Sequence, residues 1–146
     1  MYKTRRKVVM NGIRVRKDCI FCDKEKIVTD FVYEDEKVMA FMDMAPINEG
    51  HVLLVTKEHY LDVDEIPDEL LAHLMSVSKK IVAVLKEIYH PAGYSIMQNG
   101  GAFNNIGHYH LHIFPRYADD GFGWTYGNEI KKVNAEIAKR IRDRIG

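Results

Sequence analysis

Residues 108 to 114 read His-Tyr-His-Leu-His-Ile-Phe, with imidazoles at every second position and apolar side chains between them. In an extended strand this period of two sends His108, His110 and His112 to one face and Tyr109, Leu111 and Ile113 to the other. The apolar set faces a core, which pins the register, because a slip of one residue would bury the imidazoles instead. The histidine row then faces a cleft or solvent. Successive imidazoles on the row lie about 6.6 Å apart and the outer two roughly 13 Å apart. One zinc, with nitrogen ligands at about 2.0–2.1 Å, does not easily gather all three. The spacing therefore predicts divided labour, with one histidine free for a metal and the others facing something extended, such as a phosphate chain. A merely polar face of an exposed strand is the plainer alternative, but it gives no reason for imidazole three times over.

The chain has 146 residues, 47% of them hydrophobic, which suits one compact domain with its own core. The only break in composition falls near Lys17: residues 1–17 carry seven basic and no acidic side chains, although the whole chain is formally neutral. This predicts a basic N-terminal extension, 1–17, followed by a single domain, 18–146. A basic arm suits contact with nucleic acid or an anionic surface, and it equally suits simple solvation of a terminus. No run approaches the roughly 18–20 apolar residues of a membrane span, so a soluble, cytoplasmic protein is expected. The two cysteines, Cys19 and Cys22, agree with a reducing compartment. Their C-x-x-C spacing fits a redox pair or half of a tetrahedral zinc site. The charged flanks, Arg16-Lys17-Asp18 and Asp23-Lys24-Glu25, do not look like the strand and helix of a redox domain. Any further ligands must come from the seven histidines.

Periodicity predicts a hairpin from 32–34 and 37–42 around Asp35-Glu36, a loop punctuated by Pro46 and Gly50, and a strand over 51–57. A long helix opens near Pro67, with Leu71, Leu74, Ser78, Ile81, Leu85 and Ile88 as its buried stripe, and stops at Pro91 and Gly93. A strand over 94–98 leads into the Gly- and Asn-rich segment 99–107, whose backbone N–H groups and amides suit phosphate oxygens or a plain hairpin loop. An amphipathic C-terminal helix is expected with Ile130, Val133, Ile137 and Ile141 on one side. Trp124, the only tryptophan, is read as core or interface filler before ligand contact.

The run from His108 to Phe114 resembles the His-x-His-x-His-x-x signature of the histidine triad nucleotide hydrolases and transferases. Cys19-Ile20-Phe21-Cys22, Phe41-Met42-Asp43, Gly50-His51-Val52-Leu53, Lys57-Glu58-His59 and Pro115-Arg116 stand in that family's order and approximate spacing. The resemblance implies an α+β fold with a five-stranded antiparallel sheet, one long and one C-terminal helix, and a homodimer with a joined sheet. It implies His110 as the nucleophile toward the α-phosphorus of a purine nucleotide conjugate, His112 against the phosphate or leaving group, and His51 as a partner of the triad. Asp43 would hold the ribose, Phe21, Phe41 and Met44 would line the base pocket, and Gln98 and Asn105 would reach phosphate. Zinc-binding members imply Cys19, Cys22, His59 and His108 as a structural shell for one zinc.

The reaction implied is hydrolysis of a nucleoside phosphoramidate or dinucleoside polyphosphate. A non-catalytic, zinc-stabilised nucleotide-binding module is the alternative. Nucleotidyl transfer to a sugar phosphate is weaker, because those relatives carry glutamine where this chain has His112. Phe103-Asn104 replaces a Gly-Gln pair found in many members, and Gly107 replaces a bulkier residue.

Overall fold

The computed structural model describes residues 7–10 and 12–146; Lys3, Arg5 and Arg6 of the basic segment lie outside the described residues. Strands β1 (Lys7–Met10) and β2 (Ile13–Arg16) form an antiparallel hairpin. The main sheet comprises β3 (Phe31–Glu34), β4 (Val38–Met42), β5 (Val52–Thr56), β6 (Gly93–Met97) and β7 (His110–Arg116), antiparallel throughout in the order β3-β4-β5-β7-β6. Helix α1 (Asp68–Tyr89) links β5 to β6, and α2 (Ala135–Ile145) ends the chain. This is the expected α+β architecture. Among the described residues no helix is long and apolar enough to cross a membrane.

The central strands are buried on both faces, so β4 and β5 read as nearly unbroken apolar runs. Val38, Ala40, Val52, Leu54, Tyr109, Leu111 and Ile113 pack on one side against Leu74, Val77, Ile81, Val82 and Leu85 of α1. Met39, Phe41, Leu53 and Val55 point the other way and are covered by Cys19 and Phe21 of the short turn after β2. The register pairs Leu53 with His112 and Val55 with His110, which puts the imidazoles on this second face. The alternation in the sequence is thus realised, with two corrections. The ladder begins at His110 and not His108: Tyr109 N–H instead bonds the Tyr60 carbonyl at 2.7 Å. The face is also largely roofed, with His110 only 2% exposed beneath Phe21.

Helix α1 starts after Pro67, has Asp68 and Glu69 in its first turn, and ends at His90 in the left-handed region at φ 45°. Ile88, placed in the stripe by spacing, is 62% exposed, while Val77 and Val82 are buried. The C-terminal helix begins later than its apolar spacing suggests. The Asn134 side chain caps the N–H groups of Glu136 and Ile137, leaving Ile130 and Val133 outside it.

The loop before β5 turns through Gly50 at φ +88°, and a Cβ there would lie 2.5 Å from the Tyr89 ring. Gly50→Ala should therefore lose about 1–3 kcal/mol or more of stability, read as a lower urea midpoint. Two residues earlier, the same part of the loop is tied to β7. Asn48 Nδ2 donates to the Pro115 carbonyl at 2.8 Å and to Asp120 at 3.0 Å, and Asp120 also receives Arg116 Nε at 2.6 Å.

Candidate active site and metal centre

Four donors from three separate segments converge where β2, β5 and β7 come together. Cys19 and Cys22 come from the turn after β2, His59 from just after β5, and His108 from just before β7; their ligating atoms all lie within 4.8 Å of one another. His108 Nδ1 is 3.4 Å from Cys19 Sγ and 3.5 Å from Cys22 Sγ, and His59 Nδ1 is 3.3 Å from Cys22 Sγ. His108 Nε2 lies 2.7 Å from the Thr56 carbonyl. A carbonyl only accepts, so Nε2 carries the proton and Nδ1 offers its lone pair to the thiols' centre, the arrangement that orients a metal-ligating imidazole. A hydrogen bond between the two sulfurs pulls the Cys19 pKa well below its usual range, and the same contact pushes that of Cys22 up. Two sulfurs and two imidazoles at these separations fit a tetrahedral cation, so this cluster could hold a metal ion.

The next imidazole along β7 faces a different environment. His110 Nδ1 is 2.7 Å from the carbonyl of His108 and must donate to it, which leaves the Nε2 lone pair without a protein partner among the described residues. Burial lowers the His110 pKa from its ordinary value, so the ring is neutral at pH 7. Phe21 stands edge-on to His110 at 5.6 Å between centroids and to Phe41 at 5.1 Å. The His108 carbonyl takes a second bond, from Asn104 Nδ2 at 3.1 Å, while Asn104 Oδ1 accepts Gly107 N–H at 3.0 Å. Asn104 is 8% exposed. In the sequence it stands as a departure from a family pair and as one of the loop amides suited to phosphate, not as a holder of the His108 carbonyl. Its position, four residues before the histidine row in a Gly- and Asn-rich loop, is the one signal the sequence offers.

His112 pairs with His51, Nδ1 to Nε2 at 2.9 Å, with the Asp43 carboxylate 3.4 Å from His51 Nε2 and 3.7 Å from His112 Nδ1. Burial, then repulsion from His110 and His51, pushes the His112 pKa down to about 4. In the unfolded chain this group takes up a proton near the ordinary imidazole value of 6.5. The unfolded state therefore gains protons first as pH falls, and stability from His112 drains between about pH 6.5 and 4. Urea midpoints should decline through that window, and the decline should be shallower in His112→Asn.

Other expected residues are brought in unevenly. Phe21 and Phe41 join one buried cluster, whereas Met44 is 72% exposed. Gln98 turns its amide to the Asn99 carbonyl and Asn105 is exposed; among the described residues neither side chain hydrogen-bonds an imidazole. Trp124, at 88% exposed, is not core filler.

A HIT domain profile matches residues 24–119 of this chain, well over half of its length. The chain belongs to the HIT family. It is 33% identical over 135 residues to an adenosine 5'-monophosphoramidase of Schizosaccharomyces pombe, a match covering 85% of this chain and 98% of that protein. A crystal structure of a HIT family protein from Bacillus anthracis superposes with a TM-score of 0.77 at 34% identity, covering 88% of this chain and 95% of that one. A Zn-bound histidine triad family protein from Mycobacterium smegmatis gives a TM-score of 0.67 at 30% identity, over 77% and 84% of the two chains.

Proposed function

We propose that this HIT protein is a hydrolase that cleaves nucleoside phosphoramidates or dinucleoside polyphosphates at the α-phosphate, through a nucleotidyl intermediate on His110, and releases a nucleoside monophosphate. The observation that carries the reading is the bond from His110 Nδ1–H to the His108 carbonyl at 2.7 Å. It leaves a neutral imidazole with its remaining lone pair free, the state a nitrogen nucleophile needs. In the first step Nε2 attacks phosphorus, a P–N bond forms, and the bond to the departing amine or phosphate breaks. In the second step water attacks the same phosphorus and Nε2 leaves. His112, on the same face, attends the departing group. Asp43 takes the ribose, and Phe21 with Phe41 provides an apolar wall for a purine base. The relative named as an adenosine 5'-monophosphoramidase supports a phosphoramidate as substrate.

The Cys19, Cys22, His59 and His108 cluster would hold one structural zinc per chain, a reading favoured by the Zn-bound neighbour. Bound there, zinc supplies cross-linking and not Lewis acidity, because four protein ligands leave no open position. Both cysteines are free thiols, which agrees with a reducing cytoplasm. Strand β6 lies at one edge of the sheet, and such an edge can pair with a second copy. The homodimer proposed from it should appear as twice the chain mass in light scattering.

The test of function is to incubate the protein with an adenosine phosphoramidate and with diadenosine polyphosphates and to follow AMP. Release from either, lost in His110→Ala, is the expected result. No AMP from either substrate, with nucleotide still bound, would leave the non-catalytic binding module as the better reading.

A further inference from the structure

The C-terminal arm, which begins beyond residue 119 where the HIT profile ends, presents apolar surface that its own chain does not cover. Helix α2 carries Ile137, Ile141 and Ile145 about one turn apart, and all three are exposed. The link before it adds Trp124, Tyr126, Ile130 and Val133, exposed as well. Among the described residues, the side-chain hydrogen bonds of this segment close within it: Lys131 with Glu129, Asn134 with Glu136 and Ile137, Lys139 with Asp143, and Arg144 with the Arg140 carbonyl. A helix of 11 residues standing alone is marginal in water, and β-branched isoleucines lower its propensity further. Something outside the arm must hold α2.

A matching surface lies where α1 crosses the sheet. Ile81, Val84 and Ile88 of α1, with Val32, Met42 and Val52 of β3, β4 and β5, line an apolar groove that has Gly50 and Tyr89 at one end. Val32, Val84 and Ile88 on its rim are each half exposed or more. We infer that this groove receives α2 from a second copy of the chain. The lengths agree: Ile137 to Ile145 span about 12 Å, and the α1 wall from Lys80 to Tyr89 about 13–14 Å. Residues four apart form the ridge on each side, Ile137-Ile141-Ile145 on α2 and Val84-Ile88 on α1, which suits packing of ridges into grooves. The charges agree too. At 100° per residue Arg140 and Arg144 flank one side of the isoleucine stripe and Arg142 the other, and α2 holds four basic side chains, Lys139 included, against Glu136 and Asp143. The groove is bordered by Glu87 on α1, by Glu49, whose charge acts on Tyr89, and by Asp30, whose carbonyl takes the Met42 N–H, against one cation, Lys80.

The link decides for a second copy over the chain's own groove. The arm leaves its domain beside Asn48, which bonds Asp120, and Gly50 at the groove's end is two residues further on. A return to that groove needs few residues, whereas 124–134 extended reaches about 36–40 Å. Its four large apolar side chains also need cover, which a neighbouring molecule supplies along the way. Two aromatic rings at about 150–250 Å² each and five aliphatic side chains at roughly 60–120 Å² each bring one arm to about the 800 Å² per partner of a standard interface. Each copy carries both arm and groove, so a two-fold exchange satisfies both twice. This contact is distinct from any pairing through β6: the groove runs along the β3–β4 side of α1, whereas Lys86 on the helix's other side meets Tyr94 of β6.

Neither readout of the test depends on the hydrolase reading. The full chain with p-benzoylphenylalanine placed at Ile141 is irradiated, and the products are sized on a denaturing gel and mapped by mass spectrometry. The expected product has twice the chain mass and joins position 141 to the peptides holding Val84, Ile88 or Val32. Ile88→Glu puts a charge on the groove's rim at a position already exposed, so the domain should stay folded while the doubled product disappears. Hydrogen exchange on the chain without the photoprobe gives the second readout. The α2 amides should be protected in wild type and should lose that protection in Ile88→Glu and in Ile141→Glu. A cross-link to the groove that runs at single-chain mass would assign α2 to its own chain and overturn the inference. So would the absence of any link to the groove, or α2 protection that is missing in wild type or unchanged in Ile88→Glu. Sedimentation with phosphatidylglycerol vesicles that is lost in Ile141→Glu but kept in Ile88→Glu would give the isoleucine face to a lipid surface instead, with the same consequence.

Discussion

Replacing His110 by alanine should abolish nucleotide release, lowering kcat by roughly 10⁴–10⁶-fold, the range seen when a covalent nucleophile is removed. The magnitude follows from the lack of a substitute. His108 has committed Nε2 to the Thr56 carbonyl and directs Nδ1 at the two thiols. His51 has one nitrogen on the Ile47 N–H and the other on His112. His110 alone pairs a carbonyl-held proton with an unpartnered lone pair. Wild-type enzyme quenched during turnover should carry one nucleotidyl group on the peptide containing His110. Because alanine leaves a cavity beneath Phe21, His110→Gln provides the filled control. It should melt close to wild type, remain inactive and show no adduct. Full activity in either variant would remove the covalent mechanism.

Much of this site is legible because it is built on a period of two. The alternation from Tyr109 to Ile113 is realised as one core face, and the imidazoles follow from it onto the other. What periodicity does not convey is which groups complete each ring's hydrogen bonding. Those partners are backbone atoms, Ile47 N–H, Thr56 C=O and His108 C=O, and no side-chain pattern announces them. The misplacement of Ile88 has a similar origin. Steps of three and four define a stripe, but the contact surface of α1 rotates onto Val77 and Val82, and only the packed sheet decides where the stripe ends. At the C-terminus the apolar spacing ran back to Ile130, and the side-chain cap of Asn134 overruled it. His73 and His90, the two histidines outside the site, have ordinary local roles: one contacts Asp35 at 2.7 Å and the other caps α1.

Removing the proposed zinc should have the second large effect, on stability first and on catalysis through it. Cys19 and Cys22, His59 and His108 belong to three segments far apart in sequence, and a cation joining them would tie the turn over the active face to β5 and β7. A ligand present at about 100–1,000 times its Kd stabilises by about 3–4 kcal/mol, which for a chain of this size corresponds to roughly 10 °C in Tm. Cys22→Ser should therefore bind far less than the one equivalent expected of wild type by metal analysis, and should melt about that much lower. Its catalytic loss should track His108. That residue's side chain is one of the four donors of the proposed zinc shell and its carbonyl holds the His110 proton, so loosening one releases the other. Asn104 gives the carbonyl an independent anchor, so activity at low temperature should fall only partly in Cys22→Ser and much further in the double variant with Asn104→Ala. Wild type that is fully folded, metal-free and as stable as after zinc addition would remove the structural metal from the account.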